Sequence, residues 1–216
     1  LVGVEEELGT VELYDSRLTR RLFSMVRDFY GKPLAPIPQA FDGSQAKTKA
    51  AYRFFGNERV SMDRVLHAHV ESTIERLKAH PVVLAVQDTS SLNYTGHRAT
   101  EGLGPINTTK DPSVGMLLHD TMAFSPEGIP LGLLDVQCWA RDSREQGKKH
   151  QRAQLPIEQK ESMKWLNSYR AVSEAQKLCP ETMLVSVGDR ESDLYDLFWE
   201  AHRNPRGPKV LVRCER

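Results

Sequence analysis

Residues Val82-Val83-Leu84-Ala85-Val86, followed directly by Gln87 and Asp88, are the most informative segment of the sequence for the fold. It is an apolar run without polar residues in alternate positions, which is typical of a central β-strand covered on both faces. Helical periodicity precedes this run and stops at Pro81. We therefore expect the chain to divide here, into a helical domain over residues 1–79 and a strand-rich domain over residues 80–216.

Downstream of this strand, apolar runs and turn signals predict an ordered series of elements. We expect a polar loop at 90–114, a hairpin of strands at 116–124 and 129–139, a polar loop at 141–155, a helix at 156–178, a strand at 183–187, a helix at 194–201 and a strand at 210–212. This order of elements matches an RNase H-like α/β domain up to its fifth strand. The predicted fold class is therefore a mixed sheet with flanking helices, preceded by a small all-α domain.

Three helices are predicted before Pro81. The first begins at a cap formed by Asp15 or Ser16 and ends in the Pro-rich stretch 31–38, and the others cover 46–55 and 61–78. Residues 16–77 contain eleven Lys or Arg against six Asp or Glu, a surplus of five positive charges in a chain with no net charge. A local basic block of this kind is where phosphate contacts are expected.

The composition excludes several classes of protein. Apolar residues make up 39% of the chain and charged residues 27%, as in an ordinary globular protein. No apolar run approaches the roughly 18 residues that cross a bilayer, so we expect no membrane partner. The three cysteines are far apart and form no CxxC pair, which argues against a disulfide framework or a zinc site and favours a reducing cytoplasm.

Two aspartates follow predicted buried strands. Asp88 follows the strand at 82–86, and Asp189 follows the strand at 183–187. Open α/β sheets bind ligands at the carboxyl ends of their strands, and close carboxylates repel unless a cation lies between them. Carboxylate oxygens suit Mg²⁺ or Mn²⁺, and such ions can promote phosphodiester cleavage. The alternative is that each aspartate only ends a strand or caps a helix, and position alone gives the two interpretations about even weight.

Several segments resemble, in order, the bacterial DDE transposases of the insertion-sequence-four family. Residues 86–92 (Val-Gln-Asp-Thr-Ser-Ser-Leu) resemble the motif of the first catalytic aspartate, and residues 187–193 (Val-Gly-Asp-Arg-Glu-Ser-Asp) resemble that of the second. Residues 50–57 (Ala-Ala-Tyr-Arg-Phe-Phe-Gly-Asn) resemble the signature of the family's N-terminal DNA-binding domain. Further similar segments are 102–105, His119, 126–133 and 160–165. The similarity runs from about residue 12 to residue 216.

The resemblance implies a cut-and-paste transposase. In such an enzyme a metal-activated water nicks DNA at the transposon end, and the freed 3′-hydroxyl attacks further phosphodiesters. It also implies that Asp88 and Asp189 bind divalent ions, Mg²⁺ or Mn²⁺. The family's third acid is a Glu in a Tyr-Arg-Glu-Lys pattern after the fifth strand, and this chain stops at Arg216 before that region. We therefore expect an incomplete catalytic core, in a bacterial, DNA-associated protein of the cytoplasm.

Basic residues are the candidates for DNA contact. Those in the helical part are Arg17, Arg20, Arg21, Lys47, Lys49 and Arg53, and Arg190 follows the second aspartate. Contacts with phosphates would give affinity for the inverted-repeat ends of a transposon, on which two copies of the chain are expected to form a synaptic complex. The alternatives are a solvated helix face for the first group, and an ion pair with Glu191 or Asp193 for Arg190.

Other candidates have structural interpretations as well. A lone histidine such as His119 is more often structural than catalytic, and Tyr52, Phe54 and Phe55 are predicted to belong to the core. Lys148, Lys149 and Arg152 lie in a predicted loop that can touch DNA or simply be solvated. At the level of the whole chain, the alternatives to a transposase are a non-catalytic DNA-binding or regulatory fragment and a metal-dependent nuclease unrelated to transposition.

Overall fold

A computed structural model describes residues 3–97, 99–107, 111–145 and 155–214, with the side chain of Glu145 excluded. The chain forms two compact units, one up to Ser72 and one from Thr73 onward. The boundary lies inside a helix, and the division at 79/80 stays a prediction. Lys148, Lys149 and Arg152 lie outside the described residues.

The first unit is helical. Its helices are α1 (Val4–Leu8), α2 (Ser16–Gly31), α3 (Ile37–Ala40), α4 (Gln45–Phe55) and the first part of α5 (Met62–Leu77). The side chain of Asp15 accepts a hydrogen bond from the backbone of Arg17 at 2.8 Å, which caps α2 as the sequence predicts. Helices α1 and α3 were not predicted, because segments of four or five residues are too short to show a helical period.

The core of the first unit contains apolar side chains from α2, α4 and the segments around them, among them Leu13, Met25, Phe41, Ala51 and Phe54. Phe54 is buried as predicted. The prediction is wrong for Tyr52 and Phe55, which are 58% and 55% exposed. They lie on the side of α4 that does not face the core.

The second unit contains a mixed sheet of six strands. They are β1 (Val82–Asn93), β2 (Gly104–Pro105), β3 (Val114–Phe124), β4 (Pro130–Trp139), β5 (Met183–Gly188) and β6 (Lys209–Val212). The order is β4–β3–β1–β5–β6, and β2 also pairs with β3. Strand β3 pairs antiparallel with both β4 and β1, whereas β5 and β6 run parallel to β1. With its flanking helices this sheet confirms the predicted α/β class and is consistent with an RNase H-like fold.

Two predicted boundaries are wrong. Strand β1 continues to Asn93, inside the predicted loop, because antiparallel pairing with β3 extends as far as Asn93 opposite Gly115. The helix predicted from Pro156 begins later, as α6 (Met163–Leu178), after a single 3-10 turn at Ile157–Gln159. The chain cannot continue from that turn into the helix, because Lys160 has an extended backbone (φ −99°, ψ 149°).

Helix α6 packs on one face of the sheet. Its Trp165, Tyr169 and Val172 are almost fully buried, and a last helix, α7 (Tyr195–Arg203), contributes the buried Leu197. Burial alternates along β1, where Val83 and Ala85 are fully buried and Leu84 between them is partly buried. Among the described residues, no helix is both long and apolar enough to cross a bilayer.

Candidate functional site

The pairing of β1 with β5 brings the two motif aspartates to neighbouring positions. Each parallel pair joins residues 101 apart in sequence, from Val82 with Met183 to Val86 with Val187. Asp88 and Asp189 are separated by the same 101 residues and lie two positions beyond the last of these pairs. Because neighbouring strands are about 4.8 Å apart, the two aspartates lie side by side where the parallel pairing ends.

Each of these carboxylates uses one oxygen for a local hydrogen bond. Asp88 Oδ1 accepts from the backbone N–H of Thr89 at 2.7 Å, and Asp189 Oδ1 accepts from that of Glu191 at 2.8 Å. The second bond caps a 3-10 turn, so Asp189 does have the capping role considered from its position. Within the part of the chain that the structure describes, neither Oδ2 accepts a hydrogen bond or an ion pair. Both side chains are exposed, so one oxygen of each is available to a ligand.

A third carboxylate, which sequence reasoning missed, lies beside Asp88. Asp120 of β3 is the direct antiparallel partner of Asp88, so both side chains leave the same face of the sheet. Burial, and then the charge of Asp88, raises the pKa of Asp120. Only the register between β1 and β3 reveals this pairing, since the two residues lie in different segments of the sequence. Asp120 on β3, Asp88 on β1 and Asp189 directly after the end of β5 thus bring three carboxyl groups to the same region of the sheet.

The turn after Asp189 carries the basic candidate of this region. Arg190 is exposed and forms no ion pair with the other described residues. Its predicted alternative partner Glu191 instead pairs with Lys164 of α6, whose Nζ lies 3.2 Å from Glu191 Oε2. Lys164 is almost fully buried, with its Nζ 5.4 Å from the centroid of the Trp165 ring. The guanidinium of Arg190 is therefore available to a phosphate.

In the first unit, the structure brings three of the six predicted DNA-binding residues together. Arg17 and Arg21 from α2 and Arg53 from α4 line one open groove with a volume of about 260 Å³. Its floor contains Leu18, Ala50 and Phe54. We call this feature the α2–α4 groove. Its rim also contains the carboxylate of Asp15, 3.8 Å from Arg17 Nε, so three guanidinium groups against one carboxylate leave a net positive surface that suits phosphate oxygens.

The other three predicted residues lie differently. Lys47 is held in an ion pair, with its Nζ 2.9 and 3.0 Å from the two carboxylate oxygens of Asp28. Arg20 is exposed and bonds back along its own helix, from Nε to the carbonyl oxygen of Ser16 at 3.3 Å. Lys49 is exposed on α4. Of these three side chains, Lys47 is thus the one whose charge is already neutralised by a partner.

Comparison with known families concerns this first unit. Residues 4–60 match a family model described as transposase DNA-binding. The matched segment contains α1 to α4 and therefore all three arginines of the α2–α4 groove. The match supports a transposase and a DNA-binding role for the chain. It ends before the sheet, so it does not extend to Asp88 or Asp189.

Proposed function

We propose that the protein is a DNA transposase of the cut-and-paste type, which cleaves phosphodiester bonds at transposon ends and transfers the freed strands. In this proposal the sheet bears the catalytic centre, and Asp88 and Asp189 hold divalent ions, Mg²⁺ or Mn²⁺. The observation that carries the proposal is the shared separation of 101 residues in the β1–β5 pairing and between the two aspartates. It brings together the two residues that a DDE enzyme needs side by side.

The donors present suit such an ion. Mg²⁺ takes hard oxygen ligands and is commonly bound through one or two carboxylates together with substrate phosphates and water. Asp88 and Asp189 each have one oxygen that no other described residue engages, and Asp120 lies on the same face as Asp88. When bound, divalent ions activate a nucleophile and stabilise the leaving oxygen of an in-line displacement. Arg190 would then hold a neighbouring phosphate of the DNA.

The proposed role of the first unit is to hold the transposon end. The α2–α4 groove offers Arg17, Arg21 and Arg53 to the DNA backbone, and the exposed Arg20 and Lys49 add positive charge. Such contacts give affinity without reading sequence. The proposed assembly contains two copies of the chain, one on each inverted-repeat end, and light scattering of the DNA-bound protein would measure this stoichiometry.

Metal binding can be tested with two isosteric changes. Asp88→Asn and Asp189→Asn each keep an oxygen that can accept the local backbone hydrogen bond, so the fold should be retained while one charged ligand is lost. We expect Mn²⁺, titrated by electron paramagnetic resonance, to bind at least about 10-fold more weakly to each variant. Asp196→Asn, on the exposed first turn of α7, is the matched control and should bind like the parent. Equal Mn²⁺ affinity in all four proteins would exclude the proposed site.

DNA binding by the first unit has a separate test. Neutralising a residue that contacts phosphate reduces the slope of log K against log salt by about 0.9 on duplex DNA. We expect this reduction, measured by fluorescence anisotropy, for Arg17→Ala, Arg21→Ala and Arg53→Ala. Lys47→Ala is the control, because its charge is already paired with Asp28. An unchanged slope in all three arginine variants would remove the groove from the DNA interface.

A second candidate function is a DNA-binding or regulatory fragment without catalysis. The observation in its favour is that the described residues contain no group of three His, Cys, Asp or Glu able to hold a metal ion. The family resemblance implies a third carboxylate as a ligand, and Asp120, although it lies opposite Asp88, does not complete such a group among the described residues. Nicking of supercoiled DNA by this chain with Mn²⁺, lost in Asp88→Asn, would exclude this candidate. Binding without nicking would favour it.

A further inference from the structure

A buried histidine lies directly behind the first catalytic aspartate. His119 of β3 is fully buried, and its Nδ1 lies 2.8 Å from the hydroxyl oxygen of Thr89. Thr89 is the direct antiparallel partner of His119 and the residue after Asp88. Its backbone N–H donates the hydrogen bond to Asp88 Oδ1. One short chain of bonds therefore connects the imidazole ring to the carboxylate through Thr89.

The same histidine is packed against the residue that supports the second aspartate. The ring of His119 meets Trp165 edge to face, with centroids 4.6 Å apart and planes at 78°. Trp165 also lies against Gly188, since a Cβ added there would be 3.2 Å from Trp165 Cζ3. Gly188 directly precedes Asp189. On the buried side of the sheet, the His119–Trp165 pair thus contacts the residue after Asp88 (Thr89) and the residue before Asp189 (Gly188).

The chemistry of this histidine does not fit a simple core residue. Its Nε2 is buried and has no hydrogen-bond partner among the described residues. Burial, and then the charge of Lys164, lowers the pKa of His119 to about 4, so the ring is neutral at physiological pH. An unsatisfied buried polar atom destabilises the fold, and an apolar side chain in its place would avoid that cost. The feature that the imidazole has and an apolar side chain would lack is the hydrogen bond to Thr89.

We infer that His119 is a positioning residue. It packs against Trp165, forms a hydrogen bond with Thr89, and so holds Asp88 in the orientation that binds the divalent ion. Partners behind a metal ligand orient it, and their loss commonly weakens metal binding by about 10- to 100-fold. The inference rests on the proposed metal site and adds the side chains that hold its geometry. His119 itself is buried and would contact neither the ion nor the DNA.

The test removes the hydrogen bond between His119 and Thr89 by changing either residue to one of similar volume. Thr89→Val and His119→Phe both lose the hydrogen bond, whereas His119→Asn offers a polar atom close to the position of Nδ1 and should rescue binding. Thr121→Val is the matched control: Thr121 is a fully buried threonine on the same face of β3, and its hydroxyl has no partner among the described residues. The quantities to measure are the Mn²⁺ affinity, the urea unfolding midpoint and the rate of hydrogen exchange of the residue 89 amide.

We expect Thr89→Val and His119→Phe to raise the Mn²⁺ Kd by about 10-fold and to speed exchange of the residue 89 amide, while Thr121→Val and His119→Asn remain within about twofold of the parent. If Thr89→Val binds Mn²⁺ as Thr121→Val does, the positioning role is wrong even where Asp88→Asn shows that the metal site is real. If His119→Asn binds Mn²⁺ as weakly as His119→Phe does, the hydrogen bond to Thr89 does not determine metal affinity and the inference also fails. If the parent binds no Mn²⁺, or Asp88→Asn binds as the parent does, the proposed function fails and this inference falls with it. Thr89→Val carries the test should His119→Phe not fold.

Discussion

Gly188→Ala should disturb the second aspartate by overpacking the backbone beside it. A Cβ at this position would have Ser192 Oγ as its nearest neighbour and would lie 2.8 Å from Ser192 Cβ and 3.2 Å from Trp165 Cζ3. Neither neighbour can move freely. Ser192 is 1% exposed and its hydroxyl donates to the carbonyl oxygen of Asp189 at 2.7 Å, and Trp165 is 2% exposed. The added methyl group must therefore displace the turn that carries Asp189.

The expected cost follows from this close contact. Adding a methyl group to a well-packed site costs about 1–3 kcal/mol, and each kcal/mol lowers Tm by about 2–4 °C in a domain of this size. We expect a lower urea unfolding midpoint together with weaker Mn²⁺ binding. Gly96→Ala is the control, because a Cβ at Gly96 would meet nothing within 4 Å, and it should change stability by less than about 0.5 kcal/mol.

A second change makes the test specific to the contact. Ser192→Gly removes both Ser192 atoms that the new methyl group meets, so it should restore part of the stability that Gly188→Ala loses. The coupling between the two changes should reach about 1 kcal/mol, as for other residues in direct contact. An unfolding midpoint that is the same in Gly188→Ala and Gly96→Ala would refute the packing argument. Strictly additive effects of the two substitutions would refute the role of Ser192.

Three further expectations concern the core and the titrating groups. Phe41→Ala should destabilise the first unit by about 3–5 kcal/mol and abolish DNA binding, because Phe41 is 1% exposed, whereas Leu34→Ala at a fully exposed position should do neither in circular dichroism and anisotropy assays. Burial, and then the charge of Asp88, raises the pKa of Asp120 above its ordinary value of 3.8, so ionisation weakens folding, and the stability advantage of Asp120→Asn should grow as pH rises from 3.8 through the higher pKa of the folded protein. An advantage independent of pH would show that ionisation of Asp120 in its partly buried position is not its cause. The pKa of His119 falls from 6.5 to about 4 on folding, so the unfolded chain takes up the proton first, and the parent should lose at most about 1.4 kcal/mol per pH unit between these values as pH falls. His119→Asn should lack that loss, and identical pH profiles of the unfolding midpoint would contradict it.

Local pattern predicted most of the elements and failed where pairing partners determine the outcome. The apolar run at 82–86 and the helical periods of α2 and α6 can be read from neighbouring residues, because burial of one face imposes a period on the sequence. The extension of β1 to Asn93 cannot be read in this way. Apart from Leu92 those last residues are polar, and they become a strand because β3 supplies backbone hydrogen bonds as far as Gly115. A polar edge segment and a loop look alike in sequence.

The candidate site likewise contains residues that the sequence identified and residues that only the fold revealed. Motif resemblance assigned Asp88 and Asp189, but it does not identify Asp120, which has no motif of its own and becomes relevant only through its position opposite Asp88. The six basic residues of the first unit likewise looked equivalent in the sequence. The fold brings Arg17, Arg21 and Arg53 into one groove and joins Lys47 to Asp28, which makes different roles for them testable.

The class of fold, the two aspartate motifs and the basic character of the first unit could be predicted from the amino-acid sequence, because composition and period are local properties. The neighbouring positions of Asp88 and Asp189, and of His119 behind Asp88, became known only from the folded chain. The physical reason is strand register. Hydrogen bonding between β1 and β5 selects a separation of 101 residues, and a shift of one residue would turn every side chain of one strand to the opposite face of the sheet.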